Sequence, residues 1–173
     1  LRRNGFLPPG GSRADVLRQG ARPARARGPT SRDPVLRERD GGEQRRPDYL
    51  ATNPQGLVPA LEHGGVVVTQ SLAICEYLDE VFPQPPLLPA DPRGRAAVRA
   101  MALAVACDVH PLNNLSVLQY LRGELGQGDE AVTRWTRHWI DRGFAALEQL
   151  IARNSADGRH CFGDSVTLAD VFL

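Results

Sequence analysis

Two neighbouring stretches carry residue types that could grip a small, extended, carboxylate-bearing ligand. The first is Asn53-Pro-Gln-Gly-Leu-Val-Pro-Ala-Leu61, and the second is Thr69-Gln-Ser-Leu-Ala-Ile-Cys-Glu-Tyr-Leu78. Val58 can offer its main-chain N–H and C=O to such a ligand, because Pro59 holds the backbone in a fixed turn. Proline is the residue that readily tolerates a cis bond there, and Pro59 is expected to be a structural cis-proline. Ser71, after Gln70, is expected as the N-cap of a helix over Leu72–Phe82. Unpaired N–H groups and the positive dipole end would hold a carboxylate there. The alternative is an ordinary strand-turn-helix with a capping serine. Ser71 alone favours that alternative; the ordered pair of signals favours a ligand.

The elements that must position these residues are short. β-rich runs over Leu57–Leu61 and Val66–Thr69 flank His63-Gly-Gly65, which predicts a hairpin with a glycine turn. The following helix places Leu72, Cys75, Leu78 and Phe82 on one face, and Pro83 stops it. Five prolines between 83 and 92 predict a semi-rigid linker over 84–92 and a domain boundary. Beyond it the pattern is helical: Arg95–Val109 is one run broken at Pro111, Asn114–Leu125 a second, and Glu130–Arg153 a third. In the third, Val132, Trp135, Trp139, Ile140, Phe144, Leu147 and Ile151 recur at helical spacing, as core residues would.

Two places in the helical part have more than one reading. His110 precedes Pro111, so its backbone is expected outside the α region at a kink. A histidine there is usually a polar residue at a helix break. Asn114, ahead of Leu115 and Ser116, is at least a plain N-cap. Gln44 is, by its neighbours alone, a loop residue.

The net charge of +1 hides an asymmetry. Residues 1–46 hold twelve Arg against five acids, and residues 47–173 hold nine against fifteen. All 21 basic residues are Arg, as GC-rich coding DNA tends to give. A basic N-terminal arm could bind nucleic acid, but it carries one aromatic, Phe6, and no binding motif, which argues against nucleic acid as a partner. Cys75, Cys107 and Cys161 form no C-x-x-C pattern. The first two lie in apolar helical runs, which predicts buried free thiols in a reducing compartment. No H-x-x-x-H pair suggests a metal site, and no apolar run reaches the ~20 residues that span a bilayer. A soluble cytoplasmic protein without membrane partners is expected.

At the two opening stretches the chain resembles the glutathione transferases. Asp40-Gly-Gly-Glu-Gln44, Leu87-Leu-Pro-Ala-Asp-Pro92 and His110-Pro-Leu-Asn-Asn-Leu-Ser-Val-Leu118 make it similar to the zeta class, the maleylacetoacetate isomerases of tyrosine and phenylalanine breakdown. The resemblance covers about 40–173. It implies a thioredoxin-like α/β N-terminal domain, incomplete here and left over 39–83, joined to an all-α C-terminal domain over 93–173. It also implies a homodimer in the intact family, and glutathione as cofactor. Gln44, Val58, Gln70, Ser71, His110, Asn114, Leu115 and Ser116 are the implied glutathione contacts. The implied reaction is a cis–trans isomerisation of a small dicarboxylic diketo acid: thiolate addition to the double bond of maleylacetoacetate, rotation, and elimination to fumarylacetoacetate. Glutathione transferase activity on small 2-halo acids stays open beside it.

Residues 1–38 do not fit this pattern. Arg, Gly, Pro and Ala fill 23 of the 38 positions and no period of 2 or 3.6 is sustained, so a stable fold is not expected there. Wrong-frame GC-rich DNA yields that mixture; a genuine disordered extension is the alternative. The family's thiol-activating residue, at the start of its first helix, has no convincing counterpart, and the catalytic residue is unassigned. At the other end, Thr167 as N-cap, Asp170 at N3 and a Val166–Val171 staple predict a helix that starts just before the chain stops at Leu173, as a truncated helix would. Four functions compete: an active isomerase, a glutathione-binding remnant without catalysis, a transferase-like module that binds a protein, and a nucleic-acid binder. The isomerase family, with activity of this chain impaired, is the expected one.

Overall fold

The computed structural model describes residues 42–173. The expectations for residues 1–38, and Asp40 and Gly41 of the Asp40–Gln44 match, lie outside the described residues. The chain divides into two units, the first ending at Gln84 and the second running from Pro85 to Leu173.

In the first unit a 3-10 turn, Glu43–Arg45, leads into a one-turn helix α1 (Pro47–Leu50), whose first position proline suits because its missing N–H has no helical partner anyway. Strands β1 (Ala60–His63) and β2 (Val66–Thr69) then pair antiparallel, Ala60 opposite Thr69 and His63 opposite Val66. Gly64 and Gly65 close the hairpin with φ of 61° and 81°, the doubly left-handed turn that favours glycine. β1 starts at Ala60 rather than Leu57. Helix α2 (Ser71–Val81) packs on the hairpin, and Leu61, Ile74 and Leu78 form a small core with Val68, Tyr77 and Phe82 against it. Of the expected inward face, Cys75 and Leu78 are buried and Leu72 and Phe82 half-buried, and Ile74 is buried beside them. A two-stranded ribbon is marginal alone, so this helix is what gives it a buried face.

The second unit is all-helical. Asp91 caps α3 (Pro92–Leu103), its carboxylate accepting the Gly94 N–H at 2.8 Å. The expected single run to Val109 is corrected: after Leu103 the chain widens into a π-helical turn, Ala104–Val109, and then a 3-10 turn, Pro111–Asn113. Helices α4 (Leu115–Gly123), α5 (Asp129–Asn154) and α6 (Leu168–Phe172) follow. α6 packs on α3, where Val98, Met101 and Leu168 are almost completely buried. On α5, Val132 and Leu147 are buried as expected, whereas Trp135 and Trp139 are half-buried. No helix among the described residues is long and apolar enough to cross a membrane.

α6 begins with the expected capping box. Asp170 accepts from the Thr167 N–H and hydroxyl, both at 2.8 Å, and also from the Cys161 N–H at 2.7 Å. Burial works to raise the Asp170 carboxyl, but these donors outweigh it and hold it below its ordinary value. Val166 and Val171, expected as a staple, are both exposed. The cysteines are free thiols; Cys75 and Cys161 are buried, but Cys107 is exposed, because it sits on the outer side of the π-helical turn.

Candidate functional site

In the first unit the binding candidates are brought together by one braced loop. The Val58–Pro59 peptide is cis, as expected. Ahead of it, the Asn53 carboxamide and the Tyr49 hydroxyl both donate to the Leu57 carbonyl, each at 2.6 Å. Asn53 also accepts the Gln55 N–H, and its own carbonyl accepts from Gly56. Among the described residues, no hydrogen bond takes up the N–H or C=O of Val58, which is half-buried. Gly56 has a φ of 63°, and a Cβ there would stand 3.3 Å from the Gln44 carbonyl oxygen, so this glycine lets the Gln44 turn rest against the Val58 loop.

Gln44 is buried, and its Oε1 accepts no hydrogen bond among the described residues. A buried acceptor without a partner costs about 1–3 kcal/mol, which a ligand N–H would relieve. Gln70 reaches back to the same loop, its Nε2 donating to Gln55 Oε1 at 3.0 Å.

Gln70 also corrects the expectation for Ser71. It is the one non-glycine residue with positive φ among the described residues (71°), and it, not Ser71, is the boundary residue of α2. Its carbonyl already accepts the Ile74 N–H at 3.0 Å. Ser71 is therefore the first helical residue and caps nothing. Its hydroxyl stands with the uncapped N–H groups of the first turn, available to an anion.

In the second unit the four candidates lie in one short segment. Asn114 is indeed an N-cap: its Oδ1 accepts the Ser116 N–H at 3.1 Å and the Ser116 hydroxyl at 3.0 Å. That leaves its carboxamide N–H₂ for other partners. Leu115 is half-buried; His110 and Ser116 are exposed. His110 does not leave the α region as expected before proline: its φ and ψ are −60° and −45°. Hydrogen bonds on both sides hold it there, its N–H to the Val105 carbonyl at 2.9 Å and its own carbonyl from the Asn113 N–H at 3.1 Å.

The first of these segments matches the model of the glutathione S-transferase N-terminal domain over residues 35–80, a start slightly earlier than the motif at Asp40 suggested. The maleylacetoacetate isomerase of Pseudomonas aeruginosa is 53% identical over 141 residues, which are 81% of this chain and 64% of that protein.

The chain is similar to the glutathione S-transferases over most of its length.

Its fold is the family's, a thioredoxin-like α/β part followed by a helical part. A solved maleylpyruvate isomerase, a bacterial glutathione S-transferase of the zeta class, superposes with a TM-score of 0.72 at 48% identity, covering 75% of this chain and 61% of that one. A maleylacetoacetate isomerase from Methylobacterium extorquens AM1, solved with bound malonate and glutathione, gives 0.71 at 44% identity over 76% and 62%. The chain thus spans a little over three fifths of the length of these relatives. The residues present in the first unit offer three kinds of contact to an extended, carboxylate-bearing ligand. Among the described residues, Val58 offers a main-chain edge, Gln44 an unpartnered buried acceptor, and Ser71 a hydroxyl beside helix N–H groups that no side chain caps.

Tyr49, Asn53 and Gly56, which build the loop, were not singled out by sequence reasoning. Asn53-Pro54 with Gly56 is a turn signal that could have found two of them. Nothing local marks Tyr49, whose hydroxyl acts eight residues away.

Proposed function

We propose that this chain binds glutathione and serves a glutathione-dependent cis–trans isomerisation of maleylacetoacetate to fumarylacetoacetate. The observation that carries the reading is the main-chain edge of Val58, left open among the described residues, beside cis Pro59, with its peptide braced by Asn53 and Tyr49. Bound glutathione would supply a thiolate that adds to the cis double bond and is expelled after rotation about the resulting single bond, emerging unchanged. The chain's own part is to bind and orient. Val58 would pair with the tripeptide backbone, and Ser71 with the α2 amides would hold its γ-glutamyl carboxylate. Gln44 would accept a ligand N–H and Gln70 would hold the loop against the helix. His110, Asn114, Leu115 and Ser116 would be the second unit's contacts along the tripeptide and substrate.

The relative solved as a maleylpyruvate isomerase favours a second substrate reading, maleylpyruvate, with the same cofactor and the same kind of double bond. Substrate competition assays separate the two. Homodimerisation is part of the proposal, and sedimentation at micromolar concentration tests it.

Sequence matching gives the family's thiol-activating residue no convincing counterpart within residues 1–38. The reading therefore includes slow turnover: at least about a hundredfold below a chimera carrying the N-terminal segment of the P. aeruginosa relative, since losing one stabilising donor commonly costs that much. Glutathione titration by calorimetry and maleylacetoacetate turnover at saturating glutathione test both halves. No measurable binding sinks the glutathione site, and equal turnover by chain and chimera sinks the impairment.

A further inference from the structure

The segment that carries His110 and Asn114 has little regular structure of its own to fix it. It is a π-helical turn running into three residues of 3-10 helix. Two residues of α5 seat it. A Cβ built on Gly143 would fall far inside contact distance of Val109 Cγ2 and lie 3.5 Å from Val109 Cβ. Val109 is 7% exposed and β-branched, with a stiff χ1, so it has neither the space nor the rotamer to move aside. Glycine is disfavoured inside a helix, and the gap for Val109 is a physical cause for it at 143. Gly123, at the end of α4, shows the contrast: a Cβ there would meet nothing.

The second seat is Trp135, two turns earlier on α5. Its indole N–H donates to the Leu112 carbonyl at 2.8 Å. Between the two, the Asn113 carboxamide donates to the Val109 carbonyl at 3.1 Å. Val109 is thus held by Gly143, Leu112 by Trp135, and His110 lies directly after the first while Asn114 lies two residues after the second.

We infer that Gly143 and Trp135 are positioning residues for glutathione binding, setting where His110 and Asn114 stand without touching the ligand themselves. The inference rests on the glutathione reading of His110–Ser116. Adding a methyl group at 143 pushes Val109 away and carries His110 with it. Removing the indole N–H frees the Leu112 carbonyl and lets the 3-10 turn drift. Displacing a binding group weakens its contact with the ligand, and a loss of about 1.4 kcal/mol there is about tenfold in affinity.

The test is calorimetric titration of the full 173-residue chain with glutathione, paired with thermal melts. Gly143→Ala is expected to weaken binding about tenfold, and Trp135→Phe to weaken it by less. The double variant Val109→Ala/Gly143→Ala removes the clashing methyl and should recover most of the loss. It also covers the case in which Gly143→Ala alone fails to fold. Val98→Ala, in the buried face of α3, is the stability control and should lower the melting temperature without changing affinity. If Val98→Ala weakens glutathione as much as Gly143→Ala at equal loss of stability, the role is merely structural and the inference falls. It also falls if Asn114→Ala weakens binding while Gly143→Ala does not, or if the double variant stays as weak as the single. If neither Asn114→Ala nor His110→Ala changes affinity, or the unmodified chain binds no glutathione, the underlying glutathione reading is what fails, and the inference with it.

Discussion

The side-chain amide of Asn53 and the carbonyl of Leu57 are 2.6 Å apart, and the Tyr49 hydroxyl meets the same oxygen at the same distance. Both lone pairs of that carbonyl are spent. Because a trans peptide is planar, fixing the Leu57 oxygen also fixes the Val58 N–H, which points to the opposite side. Two residues outside the proposed contacts thereby aim the donor that the proposed site depends on.

Asn53→Ala should therefore cost both stability and binding. Asn53 is 2% exposed, and its loss strands the Gln55 N–H and half of the Leu57 carbonyl's bonding. A destabilisation of about 1–3 kcal/mol is expected in urea titrations, with weaker glutathione binding by calorimetry under folded conditions. Tyr49→Phe, which removes one of the two donors and keeps the ring, should have the smaller effect. Unchanged affinity in a destabilised Asn53→Ala protein would separate the brace from the site.

Ser71→Ala tests the other side of the loop and should behave in the opposite way. Since Gln70 is the boundary residue and no side chain caps α2, removing the Ser71 hydroxyl takes away no helix cap. Melting should be nearly unchanged. Glutathione affinity should fall by the roughly 1–3 kcal/mol typical of a hydrogen bond to a charged group. A lowered melting temperature with unchanged affinity would restore Ser71 to a capping role.

Which of these features the sequence discloses follows from their range. The hairpin turn at Gly64-Gly65, the capping box at Thr167 and Asp170, and the cap at Asn114 are each decided within three residues, and all are legible. The π-helical turn is not. It is coupled to α5 through Val109 against Gly143, 34 positions apart, and an apolar run reads as one helix whether or not it widens. Cys107 illustrates the consequence: its neighbours are apolar, but the widened turn carries it to the surface. Ser71 fails as a predicted cap for a different reason. Its predecessor takes a positive φ, and glutamine carries no signal for that. Gln44 and Val58 are proposed contacts through resemblance to a family pattern, while the brace beside them, Asn53 and Tyr49 on the Leu57 carbonyl, needed coordinates.

Thiol reactivity should follow the observed exposure rather than the apolar pattern. In the folded protein at pH 8, a water-soluble disulfide reagent should modify Cys107 quickly, with Cys75 and Cys161 protected. Burial, reinforced by the neighbouring Asp170 carboxylate, pushes the Cys161 thiol up to about 12, so it stays protonated as well as shielded. Peptide mapping after limited labelling checks the assignment. Equal labelling of Cys161 and Cys107 before unfolding would contradict it.

Acid should weaken the start of α6 through Asp170. Its folded-state pKa lies below the ordinary value of 3.8, because donors from Cys161 and Thr167 prevail over burial. The unfolded chain therefore takes up this proton first as pH falls. The stabilisation is fully present above the unfolded value and is lost as pH drops through the folded one. Asp157 acts with the same sign: the Arg159 and His160 N–H groups hold its carboxyl well below the usual range. Asp170→Asn should cost roughly 0.5–2 kcal/mol at neutral pH, the range for losing a helix cap. It should also flatten the fall in stability below about pH 4, where the ordinary carboxylate begins to titrate. Urea titrations of both proteins from pH 6 down to about pH 3, bracketing the ordinary Asp value, provide the measurement. Parallel curves, with the difference between the proteins constant across that window, would remove Asp170 as the titrating group and leave the capping box a packing feature.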